Sequence, residues 1–101
     1  MHNITFHVNE NIEEAWIEAL SRDYIPLVKR VVSCSRALFT RVRVAGESDA
    51  TFSLQLFFDQ REERRDRVEE RLEKSLSALS RRFPGGFLYF RSVLEEVIHE
   101  A

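Results

Sequence analysis

The 101-residue chain contains one cysteine, two prolines and three glycines, and each scarcity closes off a class of protein. With Cys34 alone, no disulfide can form within the chain, so an apolar core has to hold the fold. A lone thiol also fits a reducing, cytoplasmic setting. So little glycine and proline leaves no internal linker or low-complexity tract. No apolar run approaches the ~20 residues that a membrane-spanning helix needs. Met1-His2-Asn3-Ile4 lacks the charged and apolar regions of a secretory signal, so none is expected. Charge of one sign is lacking too. Fifteen Lys and Arg against 17 Asp and Glu leave a net charge of -2, so no basic field draws the chain to nucleic acid or an anionic membrane.

What the chain does have is ample material for a core. Hydrophobic residues make up 44% and charged residues 32%, a globular balance, and the length suits one domain over residues 1–101. Residues 2–8 alternate, with Ile4, Phe6 and Val8 on one side and Asn3, Thr5 and His7 on the other, which is the period of a half-buried strand. Asn11 with Glu14 resembles a capping box. It would open a helix striped by Ile12, Trp16, Ala19 and Leu20. Pro26 predicts a break near Asp23 to Ile25 and a second short helix with the proline in its first turn, held by Leu27, Val28, Val31 and Val32.

Residues 34–44 and Thr51 to Phe58 read as two strands around a polar turn at 45–50, an antiparallel hairpin. Asp59 is a plausible N-cap for a long helix reaching Arg82, with Val68, Leu72, Leu76, Leu79 and Phe83 facing inward and Gln60 to Arg67 solvated. Pro84-Gly85-Gly86 turns the chain into a last strand from Phe87 to about Val93, and the tail from Glu95 is mixed.

The order is strand, helix, strand, strand, helix, strand. It predicts an α+β, βαββαβ ferredoxin-like sandwich: a four-stranded antiparallel sheet in the order 4-1-3-2 with the helices on one face. Two helical stripes cannot cover both faces of four strands. The expected inner set is Ile4, Phe6, Val8, Leu38, Val42, Val44, Phe52, Leu54, Leu56, Phe58, Leu88 and Phe90. The other side would then expose Phe39, Phe57, Phe87, Tyr89 and Val93 among Thr5, His7, Arg41, Arg43, Ser53, Gln55 and Arg91. That much aromatic surface calls for a cover. A second copy packed sheet to sheet is the simplest, with Phe39, Phe57, Phe87 and Tyr89 as dimer contacts. A small-molecule ligand between the sheets, touched by His7, Arg41, Gln55, Tyr89 and Arg91, is the sharper alternative. RNA is not expected, because the aromatic signature of an RNA-recognition strand is absent.

Few residues suggest chemistry. A strand histidine such as His7 can serve as a general base or haem ligand, but it is more often a satisfied interface residue. No His/Cys/carboxylate spacing makes a zinc site, and no cofactor is expected. Cys34 reads as a buried structural thiol and Trp16 as core. Ser33 and Ser35 lack a nucleophile-elbow context, and Gly85-Gly86 follows a helix rather than preceding one as a phosphate loop would. The run from Arg61 to Arg67 mixes both signs and reads as a solvated helix end, with partner docking as its alternative role.

Taken together, Ile4-Thr5-Phe6-His7-Val8, Trp16, Ile25-Pro26, Phe39-Thr40-Arg41-Val42, Thr51 to Phe57 and Phe87 to Leu94 resemble a bacterial family of short proteins known only as a domain of unknown function. The resemblance spans most of the chain. It implies a ferredoxin-like fold, close in kind to the dimeric α/β barrels, and no activity of its own. Where such relatives carry a histidine before the Ile-Pro pair, this chain has Tyr24. The expectation is a homodimeric, non-enzymatic binding or regulatory module. A small-ligand enzyme of the barrel type, monooxygenase-like or haem-handling, is the alternative by fold analogy.

Overall fold

The structure, a computed structural model, describes residues 1–43, 50–58, 65–94 and 97. The polar turn at 45–49, Val44, the Asp59 cap, most of the charged run at 61–67 and most of the tail with His99 lie outside the described residues.

Strand β1 spans His2–Val8, β2 Arg36–Val42, β3 Ala50–Phe57 and β4 Phe87–Val93. They form one antiparallel sheet in the order β2-β3-β1-β4, the expected 4-1-3-2 read from the other edge. Helices α1 (Glu13–Ala19), α2 (Ile25–Val32) and α3 (Arg65–Arg82) supply the apolar stripes. On them Trp16, Ala19, Val28, Val32, Leu72, Leu76 and Leu79 are buried, as is Leu20 just after α1, with Val68 and, just after α3, Phe83 packed alongside. The sheet answers with Ile4, Phe6, Val8, Phe52, Leu54 and Leu56. Trp16 is the hub, with its ring 5.0 Å from Phe6, 5.1 Å from Phe52, 5.8 Å from Phe87 and 6.0 Å from Phe39.

The helix starts differ from expectation. Asn9, not Asn11, is the cap: its side chain accepts from the Asn11 N–H and opens a 3-10 turn over Glu10–Ile12 that runs into α1. An Asx oxygen satisfies the first free N–H wherever the backbone is extended, and Asn9 has that conformation. The break expected at Asp23 to Ile25 is instead one wide π-helical turn, Leu20–Tyr24, leading directly into α2. Pro26 does sit in the first turn of α2. A widened turn shifts the hydrogen-bond ladder, so a missing N–H is absorbed without ending the helix. Leu27, expected inside, is exposed on the outer side of α2.

The largest correction concerns the two edge strands. The central strands face as expected. On β2, however, Ala37 and Phe39 point under the helices and Leu38 and Val42 point away. On β4, Phe87 and Tyr89 lie against the core, while Leu88 and Phe90 are exposed. Both strands alternate with apolar residues at both parities, so periodicity leaves the choice open. The arginines made the wrong parity look outward. A long side chain at a sheet edge can cover the core with its stem and carry its charge to a helix. Arg41 lays its guanidinium 4.8 Å from the Phe52 ring centre and reaches Glu13 Oε1 on α1 at 2.8 Å. Arg91 reaches Glu73 Oε2 on α3 at 3.0 Å. The inward parity places Phe39 and Phe87 against Trp16, where ring volume is needed.

Candidate functional site: the open sheet face

The face away from the helices is built in three cross-strand rows, read from β2 to β4. They are Leu38, Gln55, Asn3, Ser92; then Thr40, Ser53, Thr5, Phe90; then Val42, Thr51, His7, Leu88. Phe57 continues β3 at one end, with the Arg36 guanidinium 4.4 Å from its ring centre. The two central strands therefore present mostly polar side chains, and the edge strands present Leu38, Val42, Leu88 and Phe90 beside Thr40 and Ser92. Leu88 is 73% exposed, Phe90 53%, Leu38 46% and Val42 38%.

The polar centre is internally bonded. Ser53 Oγ donates to Asn3 Oδ1 at 2.6 Å, and Asn3 Nδ2 donates to Thr5 Oγ1 at 3.2 Å and Ser92 Oγ at 3.4 Å. His7 Nδ1 shares a hydrogen bond with Thr51 Oγ1 at 3.1 Å, and its ring stands 5.9 Å from that of Phe90. Polar groups that satisfy one another can be buried against apolar surface at little desolvation cost. An open groove of about 350 Å³ continues past His7, between Asn9 to Asn11 and the Gly85-Gly86 turn.

Of the five expected ligand contacts, only His7 and Gln55 share this face, and they stand two rows apart. Arg41, Tyr89 and Arg91 lie on the helix side, at opposite edges of the sheet. Among the expected dimer contacts, Phe57 is on the open face, whereas Phe39, Phe87 and Tyr89 are under the helices. Sequence reasoning missed Leu38, Val42, Leu88 and Phe90 as open-face residues, and Glu13 and Glu73 as the acids that turn Arg41 and Arg91 inward. The available signal was a carboxylate beside a helix stripe: Glu73 directly follows Leu72, one position from the core line.

The helix side carries its own polar cluster. Glu73 accepts from Tyr89 Oη at 2.8 Å and from Arg91 Nε at 3.0 Å, so one carboxylate ties α3 to two residues of β4. Burial, then the bond to that carboxylate, push the Tyr89 phenol above its usual pKa. Tyr24, in the place where relatives were expected to carry histidine, is buried and bonds Ser75 Oγ at 2.9 Å. Ser75 Oγ donates onward to the Leu72 carbonyl, so the phenol is the donor to Ser75. Burial pushes Tyr24 up to about 12 from 10.0. Ionising it is therefore harder in the folded chain than in the unfolded one. Its contribution to stability is intact below pH 10 and is lost as pH rises through about 12. Urea titrations across that window are expected to show about 2–3 kcal/mol less alkaline destabilisation in Tyr24→Phe than in the parent. An unchanged alkaline limb would refute the assignment. Cys34 is buried and free, and burial raises its thiol pKa as well.

Among the described residues, no group of three His, Cys, Asp or Glu is placed to hold a metal ion, and no helix is long and apolar enough to cross a membrane.

Helices on one side of a β2-β3-β1-β4 antiparallel sheet define a ferredoxin-like sandwich. Within that class, residues 1–97 match the family described as a domain of unknown function, DUF4286, and the chain belongs to it. No curated protein matches. Solved structures share the fold at low identity. An ethyl tert-butyl ether d (EthD) family protein from Bacillus halodurans is 13% identical, with a TM-score of 0.62 over 93% of this chain and 97% of that one. HapK from Hahella chejuensis is 11% identical, with a TM-score of 0.59 over 100% and 99%. A protein from an uncultured marine organism, described as dimeric and ferredoxin-like, is 17% identical, with a TM-score of 0.51 over 98% and 91%.

Proposed function

We propose that this protein is a homodimeric, non-enzymatic binding or regulatory module, and that its open sheet face packs on the same face of a second copy. One observation carries the reading. Exposed Leu38, Val42, Leu88 and Phe90 flank a centre in which Asn3, Thr5, Ser53 and Ser92 bond to one another and His7 bonds to Thr51. Such a surface loses little when it is dried and gains from burial. Covering ~400 Å² of apolar area contributes on the order of 10 kcal/mol gross, before association costs. A face that meets its own copy about a two-fold axis closes on itself. The dimeric relative of the same fold is a precedent for such an assembly.

The non-enzymatic part of this reading is supported by the chemistry of the three rows. His7 is their only titratable side chain, and Thr51 already bonds its Nδ1. Acid–base catalysis there would lack a second group. The lone buried thiol is compatible with a cytoplasmic setting, where we place the dimer.

Light scattering at micromolar concentration should return a mass that is a whole multiple of two 11.9 kDa chains. The double variant Leu38→Glu/Val42→Glu places two charges on exposed sites remote from β4, so folding is spared while face pairing is lost and the mass halves. A parent protein of one-chain mass, or a double variant of unchanged mass, would overturn the reading.

A further inference from the structure

The free edge of β4 is a second contact surface, and its hydrogen-bonding groups can be assigned. Leu94 N–H donates to the Met1 carbonyl at 2.8 Å, and the Met1 amine donates to the Leu94 carbonyl at 3.2 Å, so this pair exchanges both bonds. The Asn9 N–H to Gly86 carbonyl bond, at 2.9 Å, keeps the same phase at the other end. Such pairs alternate along an antiparallel ladder. Leu88, Phe90 and Ser92 therefore turn their backbone groups toward β1. Phe87, Tyr89, Arg91 and Val93 turn theirs outward, past the last strand of the sheet. Among the described residues, nothing bonds the outward N–H groups of Tyr89 and Arg91.

Natural sheets guard such edges with charge, proline or bulges. The β2 edge has Arg36 and Arg43 along it, besides Arg41, which is drawn inward by Glu13. The β4 edge has none of these guards. Its register with β1 is unbroken over seven pairs, it contains no proline, and its only charge, Arg91, is drawn inward by Glu73. An open groove of about 440 Å³ lies between this strand and Glu69 and Glu73 of α3, so α3 does not seal it.

We infer that β4 pairs antiparallel with β4 of another copy about a two-fold axis through Phe90, joining the two sheets edge to edge. The sequence is complementary to itself in that register. Arg91 stands opposite Tyr89, beside the Glu73 carboxylate that binds both, Phe87 stands opposite Val93, and Phe90 meets its own copy on the open side. Moving the axis to Arg91 would set two arginines against each other; moving it to Tyr89 would leave Arg91 opposite Phe87. The Arg91–Tyr89 and Phe87–Val93 positions turn outward together, so each of these two kinds of pair can exchange both hydrogen bonds, while Phe90 meets its copy through its side chain alone. The contact does not need the face pairing proposed above. With both present, two face-paired dimers are joined.

Amide exchange followed by NMR tests the edge, together with light scattering. In the parent protein the Tyr89 and Arg91 amides should exchange on the order of 100-fold more slowly than exposed amides, because among the described residues nothing in the same chain bonds them and a paired strand would. Val93→Pro removes one outward donor and places a ring on the edge without touching a bond to β1. It should release Tyr89 and Arg91, leave Phe90 protected, and halve the mass. Freely exchanging Tyr89 and Arg91 amides in the parent would overturn the inference. So would protection that persists once dilution has brought the mass to one chain. If protection holds and Val93→Pro lowers the mass while Leu38→Glu/Val42→Glu does nothing, the edge contact stands and the face contact falls.

Discussion

Trp16→Ala is expected to lower unfolding free energy by about 3–5 kcal/mol, the range for deleting a large buried ring. The residue is fully buried, and its ring contacts join α1 to all four strands, through Phe6 on β1, Phe39 on β2, Phe52 on β3 and Phe87 on β4. No single neighbour can relax into the space, so the cavity cost adds to the transfer cost. A domain of this size holds only about 5–15 kcal/mol in all, so the variant loses much of its margin. Trp16→Phe should cost far less. Among the described residues the buried indole Nε1 has no hydrogen-bond partner, and phenylalanine removes that unsatisfied donor while keeping a ring in place. Urea denaturation followed by circular dichroism reads both variants, since the only tryptophan is the one replaced. A Trp16→Ala midpoint equivalent to less than about 1 kcal/mol would remove Trp16 as the hub of the core.

The second large effect is a contrast between neighbours. Phe87→Ala should cost about 3–4 kcal/mol of folding stability, whereas Leu88→Ala should stay within about 0.5 kcal/mol. Phe87 is buried between Phe6, at 5.9 Å, and Trp16, and Leu88 projects into the open on the other face. Reading the sequence by its polar positions predicts the reverse, because Arg91 shares the parity of Phe87. The measurement must be made where the protein is monomeric, in dilute solution, so that lost association is not counted as lost folding. Equal effects at the two positions, or the reverse order, would show that β4 faces the other way.

The same pair shows where sequence reasoning succeeded. His2–Val8 and Phe87–Val93 have the spans that alternation predicts, and α3 ends at Arg82 before Pro84-Gly85-Gly86 as its stop signals require. The sheet order follows from right-handed crossovers around a hairpin. In β1 and β3 one parity is almost wholly aliphatic or aromatic and the other is made of Asn, Thr, His, Ser and Gln apart from Phe57, so the inward face is readable directly. The candidate site was half legible for this reason. His7, Gln55 and Phe57 lie on the two central strands and were placed on the open face. Phe39, Phe87, Tyr89, Arg41 and Arg91 lie on the edge strands and were placed on the wrong side.

Local pattern thus determined which segments are strands and helices, their order, and the facing of the two middle strands. Tertiary structure alone decided the facing of β2 and β4. A period of two divides a strand into two sets of side chains without saying which set is inside. Where both sets are apolar enough, the choice falls to contacts far away in sequence: Glu13 waiting on α1 for Arg41, Glu73 on α3 for Tyr89 and Arg91, and a tryptophan whose flanks only phenylalanine rings fill.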